Sequence, residues 1–251
     1  MLHLIQHPLL KRKVRSDDWP DLGEPTQEKA VQALESGRPD LARDLVRYLI
    51  PEGKALHDLF CDWIWDIYTK VGAEHGDEAV YRLSRATQET WMMKRTWKAF
   101  INLPVEDRVF LSAEIMRAHR SGPDQDGRLE VVDQGERITI RMDPCGSGGR
   151  MRRGDPVDGT PSRLGPPYNF GVTKAAHDWC WGLKGVPYYC VHCAINEILP
   201  LEWGGWPLWV TGYRPDAAEP CAWHFYKRPE LIPEKYFTRL GFKKPVEEPD
   251  P

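Results

Sequence analysis

The first half of the chain alternates apolar and polar positions with the period of an α-helix. After Pro39, the residues Leu41 and Leu45 repeat at a spacing that places apolar side chains on one helical face. Pro51 predicts the end of that helix, since an interior proline removes a backbone hydrogen bond. A second helix is predicted over about residues 54–70, and its buried face is expected to consist of Leu56, Leu59, Phe60, Trp63 and Ile67.

Typical start residues mark three more predicted helices. One follows Pro25 over residues 26–35, and glycine and serine come directly after it. Asp77 is expected to cap a longer helix that runs towards Phe100. Pro104 is expected to begin the last helix of this part of the chain, because proline suits the first turn.

The pattern changes near Gly127 from helical periodicity to short runs of β-type residues. Residues 128–132 and 136–142 are such runs, and the three residues between them predict a hairpin turn. Glycine and proline are frequent from Asp143 onward, so helices in this half should be short. The sequence predicts an α+β protein with two parts. A helical unit spans residues 1–126, and a loop-rich α+β unit with short strands and a metal site spans residues 127–251.

Composition narrows the classes of protein to which the chain can belong. With 251 residues and 41% hydrophobic residues, it can form a sizeable core. A net charge of -3 argues against a protein that binds nucleic acid through a global basic field. No apolar run is long enough to span a membrane, and the first twenty residues lack the order of a signal peptide. A cytoplasmic protein without nucleic-acid or membrane partners is therefore expected.

Cysteine residues concentrate in the second half of the chain and occur in spaced pairs. Five of the six cysteines lie between Cys145 and Cys221. In a chain without an export signal, such clustering indicates metal ligands or reactive thiols rather than disulfides. Two residues between ligands let one tight turn direct both to the same ion, and zinc is the metal that such pairs most often bind. Four residues form the favoured zinc site, namely Cys190, Cys193, Cys221 and His224.

Two other ligand sets stay open at this point. A more compact set combines His177 and Cys180 with the Cys190 and Cys193 pair. The other alternative is an iron–sulfur cluster, for which four cysteines are the usual ligands. Its ligands would be Cys145, Cys190, Cys193 and Cys221.

The loop that contains Cys145 has the composition of an anion-binding turn. Three glycines follow Cys145 within four residues, and Arg150 comes next. Backbone N–H groups of such a loop can converge on an anion, and a nearby arginine adds positive charge. Both effects favour the thiolate, which attacks electrophiles or binds a metal. Cys145 is therefore a candidate catalytic residue, and Arg150 a candidate ligand for a substrate carboxylate.

Histidine and tryptophan residues complete the candidate site. His177 lies near the cysteine pairs, and His57 shares a predicted helix face with Cys61, so either histidine is a candidate for moving protons. Six of the 11 tryptophans lie between Trp179 and Trp223. Because aromatic rings bind flat or cationic molecules, these are candidates for lining a substrate pocket: Trp179, Trp181 and Trp223.

Two functions from different classes follow from these residues. The first is a metal-dependent enzyme, with zinc as the expected metal, that acts as a hydrolase or lyase on a small aromatic or carboxylated molecule. The second is a ligand-binding or sensor protein with a structural zinc site and no catalysis. The partner in both cases is a small molecule, and the tryptophan-rich surface is compatible with a homodimer.

Overall fold

A computed structural model describes residues 4–9, 12–90 and 98–245. Its helices and strands confirm the predicted α+β class with a helical N-terminal part. The helices are α1 (Thr26–Glu35), α2 (Pro39–His75), α3 (Asp77–Thr87), α4 (Lys98–Phe100), α5 (Val105–Ala118), α6 (Gly148–Arg153), α7 (Val191–Gly204) and α8 (Lys235–Thr238). The strands are β1 (Leu4–Gln6), β2 (Lys13–Arg15), β3 (Glu130–Asp133), β4 (Arg137–Met142), β5 (Val210–Gly212) and β6 (Cys221–Tyr226).

The chain forms two compact units. The smaller unit comprises the residues up to Phe60 together with Pro156–Thr160, and the larger unit comprises Cys61–Asp155 and the residues from Pro161 onward. The first strand of the second half of the chain, β3, begins at Glu130. The division between the two compact units falls within α2.

Helix α2 differs from its prediction at Pro51. A single helix runs from Pro39 to His75 and includes the proline, so the expected break is absent. The expected apolar face is also wrong, since its members Leu56, Leu59 and Trp63 are 59%, 62% and 61% exposed. The other two members of this face, Phe60 and Ile67, are exposed as well.

The larger unit buries a different face of α2. Trp65 is fully buried, and its indole Nε1 donates a hydrogen bond to the carbonyl oxygen of Gly171 at 2.8 Å. The ring of Phe170 lies 5.5 Å from the ring of Trp65, measured between centroids. Because tertiary packing selects the buried face, a helix with apolar residues on several sides leaves some of them exposed.

The larger unit contains a four-stranded antiparallel sheet in the order β3-β4-β6-β5. The predicted hairpin is confirmed as the β3–β4 pair. In the β4–β6 register Met142 pairs with Cys221, and Thr139 pairs with His224. Because side chains alternate along a strand, Cys221 and Met142 lie on one face of the sheet. His224 and Thr139 lie on the other face, and this arrangement decides which side chains can reach the site.

Helix α7 supplies much of the core of the larger unit. A 3-10 turn over Tyr188–Cys190 leads directly into α7. Along α7, Val191, Ile195 and Leu199 are fully buried, and they belong to the same apolar cluster as strand residues such as Ile140 and Trp223. The first turn of α7 is thereby fixed beside the sheet. Within the described ranges, no helix combines the length and the apolar character needed to cross a membrane.

Candidate metal centre

Four of the six cysteines line one cavity of about 190 Å³ in the larger unit. Cys145 comes from the loop between β4 and α6, and Cys221 is the first residue of β6. Cys190 and Cys193 come from the start of α7, where a spacing of three residues directs both side chains to one side of a helix. Three segments that are distant in the sequence therefore direct thiol groups into one space.

Arg150 fixes the loop that carries Cys145. Its guanidinium donates hydrogen bonds to the carbonyl oxygen of Gly146, at 3.0 Å from Nε and 2.8 Å from Nη2. The same group forms an ion pair with Asp155 at 3.1 Å, and both side chains are completely buried. Arg150 is predicted from the sequence to bind a substrate carboxylate. In the structure it binds the carboxylate of Asp155 and does not line the cavity.

The glycines of this loop pack directly against sulfur atoms. The amide N–H of Gly149 donates a hydrogen bond to Sγ of Cys145 at 2.8 Å. A Cβ atom at Gly149 would lie 2.8 Å from Sγ of Cys145, and one at Gly148 would lie 2.6 Å from Sγ of Cys190. Both distances are well inside van der Waals contact, so the backbone approaches the thiol groups closely only because these residues are glycines.

Burial favours the protonated form of three of the four thiol groups. It raises the pKa of Cys190, Cys193 and Cys221, and the neighbouring thiols of the same cavity raise it further. The guanidinium of Arg152 has the opposite effect on Cys190 and Cys221. A metal ion that bound here would displace the protons, since metals bind the thiolate form of cysteine.

Arg152 places a positive charge beside the cysteines. The residue is 3% exposed, and its Nη2 lies 3.7 Å from Sγ of Cys221. Its Nη1 donates to the hydroxyl of Tyr213 at 2.9 Å, and its guanidinium lies 4.9 Å from the centre of that ring. Burial lowers the pKa of Arg152, but the surrounding Cys190, Tyr213 and Cys221 raise it above its ordinary value.

No carboxylate of the described residues forms an ion pair with Arg152. A buried charge normally requires a compensating charge. Thiolates or another anionic group in the cavity would meet this requirement.

His224 does not join the cysteines in the structure. It lies on the opposite face of the sheet from Cys221, where its Nδ1 is 2.9 Å from the hydroxyl of Thr139. Burial lowers the pKa of His224 to about 4, and the positive charge of Arg137 contributes to the shift. The structure therefore does not bring His224 to the three predicted cysteines, because residues three apart on a strand point to opposite faces. Cys145 occupies the fourth place around the cavity.

The four thiol groups are spread more widely than the ligands of a single preformed ion site. In the part of the chain that the structure describes, no three of their sulfur atoms lie within 4.8 Å of one another. A tetrahedral zinc ion with Zn–S bonds of about 2.3 Å holds its sulfur ligands about 3.8 Å apart. The sulfur atoms therefore do not already lie at the spacing of the ligands of one zinc ion.

Three of the predicted residues, His57, His177 and Cys180, lie outside the cavity, whereas His119 and His192 line it, and Nε2 of His192 lies 3.4 Å from Sγ of Cys193. His57 belongs to the smaller unit, where its Nδ1 is 3.1 Å from a carboxylate oxygen of Asp58. Cys180 is fully buried, and its thiol donates to the carbonyl oxygens of His177 and Leu183. The compact alternative set of ligands is therefore not assembled, since neither His177 nor Cys180 lines the cavity.

The predicted tryptophans divide between the cavity and the core. Trp223 lines the cavity and stacks on Trp209 at 4.7 Å between ring centroids. Trp181 lies behind the cavity, where its Nε1 donates to Glu197 at 2.8 Å and its ring stacks on Tyr213. Trp179 stacks on His177 at 4.4 Å and lines no part of the cavity. One of the three tryptophans therefore has the predicted location.

His177 is part of a buried network centred on Asp77. The Asp77 carboxylate accepts hydrogen bonds from the Tyr188 hydroxyl at 2.6 Å, from His177 Nε2 at 3.0 Å and from the backbone N–H of Lys174 at 2.7 Å. Burial raises the pKa of Asp77, but these bonds and one from the backbone of Ala175 outweigh that effect and hold the pKa below its ordinary value.

We expect Asp77→Asn to lower the free energy of unfolding at neutral pH by about 2–3 kcal/mol, since it removes charge-assisted hydrogen bonds. The depressed pKa means that the native carboxylate adds stability above the unfolded-state pKa of about 3.9, and that this stability is lost as the pH falls through the folded-state pKa. Urea unfolding of both proteins at several pH values measures the difference. A difference that stayed constant on acidification would contradict the assignment.

Sequence reasoning misses several residues of the cavity wall. Arg152, Asn196, Thr211 and Tyr213 line the cavity, although none of them belongs to a recognisable motif. The run of arginines around Arg152 does indicate positive charge, but only the short helix α6 decides which arginine faces the cysteines. The other three residues face the cavity because of strand pairing and helix packing, which are long-range properties.

No protein-family model, no curated protein and no solved structure matches the chain.

Proposed function

We propose that the protein binds an iron–sulfur cluster through Cys145, Cys190, Cys193 and Cys221 and transfers single electrons. The observation that carries this proposal is the convergence of these four thiols on one cavity from three separate segments. Four cysteines are the usual ligands of both [2Fe–2S] and [4Fe–4S] clusters. The two remaining cysteines of the chain, Cys61 and Cys180, lie elsewhere in the larger unit.

The spacing of the sulfur atoms agrees with a cluster. Cluster irons occupy different positions within one larger group, so the thiolates bound to them lie further apart than those around one zinc ion. The absence of any three of these sulfur atoms within 4.8 Å of one another, in the residues described, agrees with that requirement. A cavity of about 190 Å³ also provides volume for inorganic sulfide, which a single ion would leave unused.

The charges around the cavity also support a cluster. A cluster of irons and sulfides with four thiolate ligands carries net negative charge, and the guanidinium of Arg152 lies beside Cys221 without a carboxylate partner among the described residues. The N–H of Gly149 adds a hydrogen bond to Cys145 at 2.8 Å. Hydrogen bonds of this kind stabilise sulfur ligands and contribute to the potential of a cluster.

Electron transfer is the chemistry that four thiolate ligands support best. When every iron has its full set of sulfur ligands, no coordination position stays open for a substrate. A cluster held by these residues would accept one electron from an external one-electron donor and pass it to an acceptor, without forming or breaking a bond to a substrate. The zinc-dependent hydrolase or lyase expected from the sequence remains a second prediction, which the same experiment tests.

Anaerobic reconstitution of the full chain with ferrous iron and sulfide, followed by desalting, tests the proposal. We expect about two to four irons and as many sulfides per chain, visible charge-transfer absorption, and an electron paramagnetic resonance signal after reduction with dithionite. The metal content of the protein as purified is measured in parallel. Stoichiometric zinc with no uptake of iron or sulfide would overturn the proposal and favour a zinc protein.

A further inference from the structure

Three buried polar groups in the wall of the cavity lack hydrogen-bond partners among the residues that the structure describes. They are Nε of Arg152, Oδ1 of Asn196 and Oγ1 of Thr211. The three residues are 3%, 6% and 2% exposed, and all of them line the cavity that contains the four cysteines. An unsatisfied buried polar group destabilises the folded protein, so three in one place indicate partners supplied by something bound there.

The backbone explains why these groups gather around the cysteines. Asn196 follows Cys193 by one helical turn on α7, so the two side chains share a helix face. Thr211 pairs with Trp223 in the β5–β6 register, and Trp223 lies on the same sheet face as Cys221. Arg152 lies on α6, directly after the loop of Cys145. Each of the three polar residues therefore lies on a helix or strand that contains one of the four cysteines or is next to one.

We infer that Arg152, Asn196 and Thr211 donate hydrogen bonds to the inorganic sulfides of the cluster and thereby raise its reduction potential. This inference rests on the proposed function. A zinc ion bound by cysteines brings no acceptor atoms of its own, whereas the bridging sulfides of a cluster are acceptors. The hydroxyl of Thr211 and Nε of Arg152 are donors. The amide of Asn196 forms no other hydrogen bond within the described ranges, and a half-turn of this amide exchanges the acceptor Oδ1 for the donor Nδ2.

Such hydrogen bonds act on the potential because reduction adds negative charge to the cluster. A donor aimed at a sulfide stabilises the reduced cluster more than the oxidised cluster, so its removal shifts the reduction potential to more negative values. If the same residue had only a structural role, its substitution would change the stability of the protein or the cluster content, but it would not shift the reduction potential systematically. The potential therefore separates the two roles.

The test is a redox titration of the reconstituted full chain and of two variants, Thr211→Val and Asn196→Leu. Valine matches the shape of threonine and removes only the hydroxyl group. We expect both variants to contain as much iron and sulfide as the unmodified protein and to have more negative midpoint potentials. Thr211→Ser restores a hydroxyl and is expected to return the potential towards its original value.

Thr139→Val is the matched control. Thr139 belongs to the same sheet but lies on the opposite face, where its hydroxyl is 2.9 Å from Nδ1 of His224. It should leave the potential unchanged. Unchanged potentials in Thr211→Val and Asn196→Leu at full iron content would overturn this inference and leave the proposed function intact. A failure of the unmodified chain to take up iron and sulfide would instead overturn the proposed function.

Discussion

Cys190→Ala is expected to lower the iron content of the reconstituted protein by about tenfold or more. Cys190 is 8% exposed at the junction between a 3-10 turn and α7, so no solvent molecule can easily replace its sulfur as a ligand. The loss should also reduce thermal stability, because the free energy of metal binding contributes to folding. Iron and sulfide assays and anaerobic thermal unfolding measure the two effects.

Cys180→Ser provides the matched control for this substitution. Cys180 is fully buried but lies outside the cavity, and its thiol donates to the carbonyl oxygen of Leu183 at 3.0 Å. Serine can donate the same hydrogen bond, so the variant should retain its full iron content. Chelation sharpens the comparison, because the stability difference between the Cys190→Ala variant and the unmodified protein should disappear once the metal is removed. A Cys190→Ala protein with full iron content and an unchanged melting temperature would contradict the ligand assignment.

Local signals were sufficient to predict much of the secondary structure. Helix α1 follows Pro25, helix α5 follows Pro104, and the β3–β4 hairpin lies where the two β-type runs predict it. Each of these elements depends on residues that are neighbours in the sequence, such as a proline in a first helical turn. Such effects need no knowledge of the rest of the fold.

Helix α2 shows where local signals fail. Pro51 removes one hydrogen bond, but the remaining bonds of a 37-residue helix are retained, and the helix continues. Leu56 and Trp63 fit the spacing of an apolar helical face, and so does Trp65, but only Trp65 is buried. Periodicity therefore identifies a helix without identifying the face that other elements cover.

The ligand set shows the same limit at the level of the site. Spacing in the sequence correctly brings Cys190 and Cys193 together, because both belong to one helical turn. The prediction that Cys221 and His224 bind the same ion assumes that both residues lie in one tight turn, whereas they lie on a strand. Residues 221–226 are rich in aromatic side chains that favour strands, and an odd separation on a strand would have indicated opposite faces. The inclusion of Cys145 depends on a loop whose position is set by distant contacts.

Gly146→Ala is expected to destabilise the larger unit by about 3 kcal/mol or more. A Cβ atom at residue 146 would overlap the backbone carbonyl group of His119, which follows the C-terminus of α5. Backbone atoms cannot rotate away as a flexible side chain does, so the loop and the end of α5 would have to separate. The substitution changes no polar group, so any loss of stability reports only the steric overlap between the added Cβ atom and the backbone of His119.

Urea unfolding of the metal-free protein measures this effect, with Gly165→Ala as the control. Gly165 has no atom within 4 Å of a Cβ position and no positive φ, so its substitution should change stability by less than about 0.5 kcal/mol. The reconstituted Gly146→Ala protein should in addition contain less iron, because the displaced loop carries Cys145. Equal unfolding free energies for the two glycine variants would show that the loop is not packed against α5, and the fourth ligand would then have to be sought elsewhere.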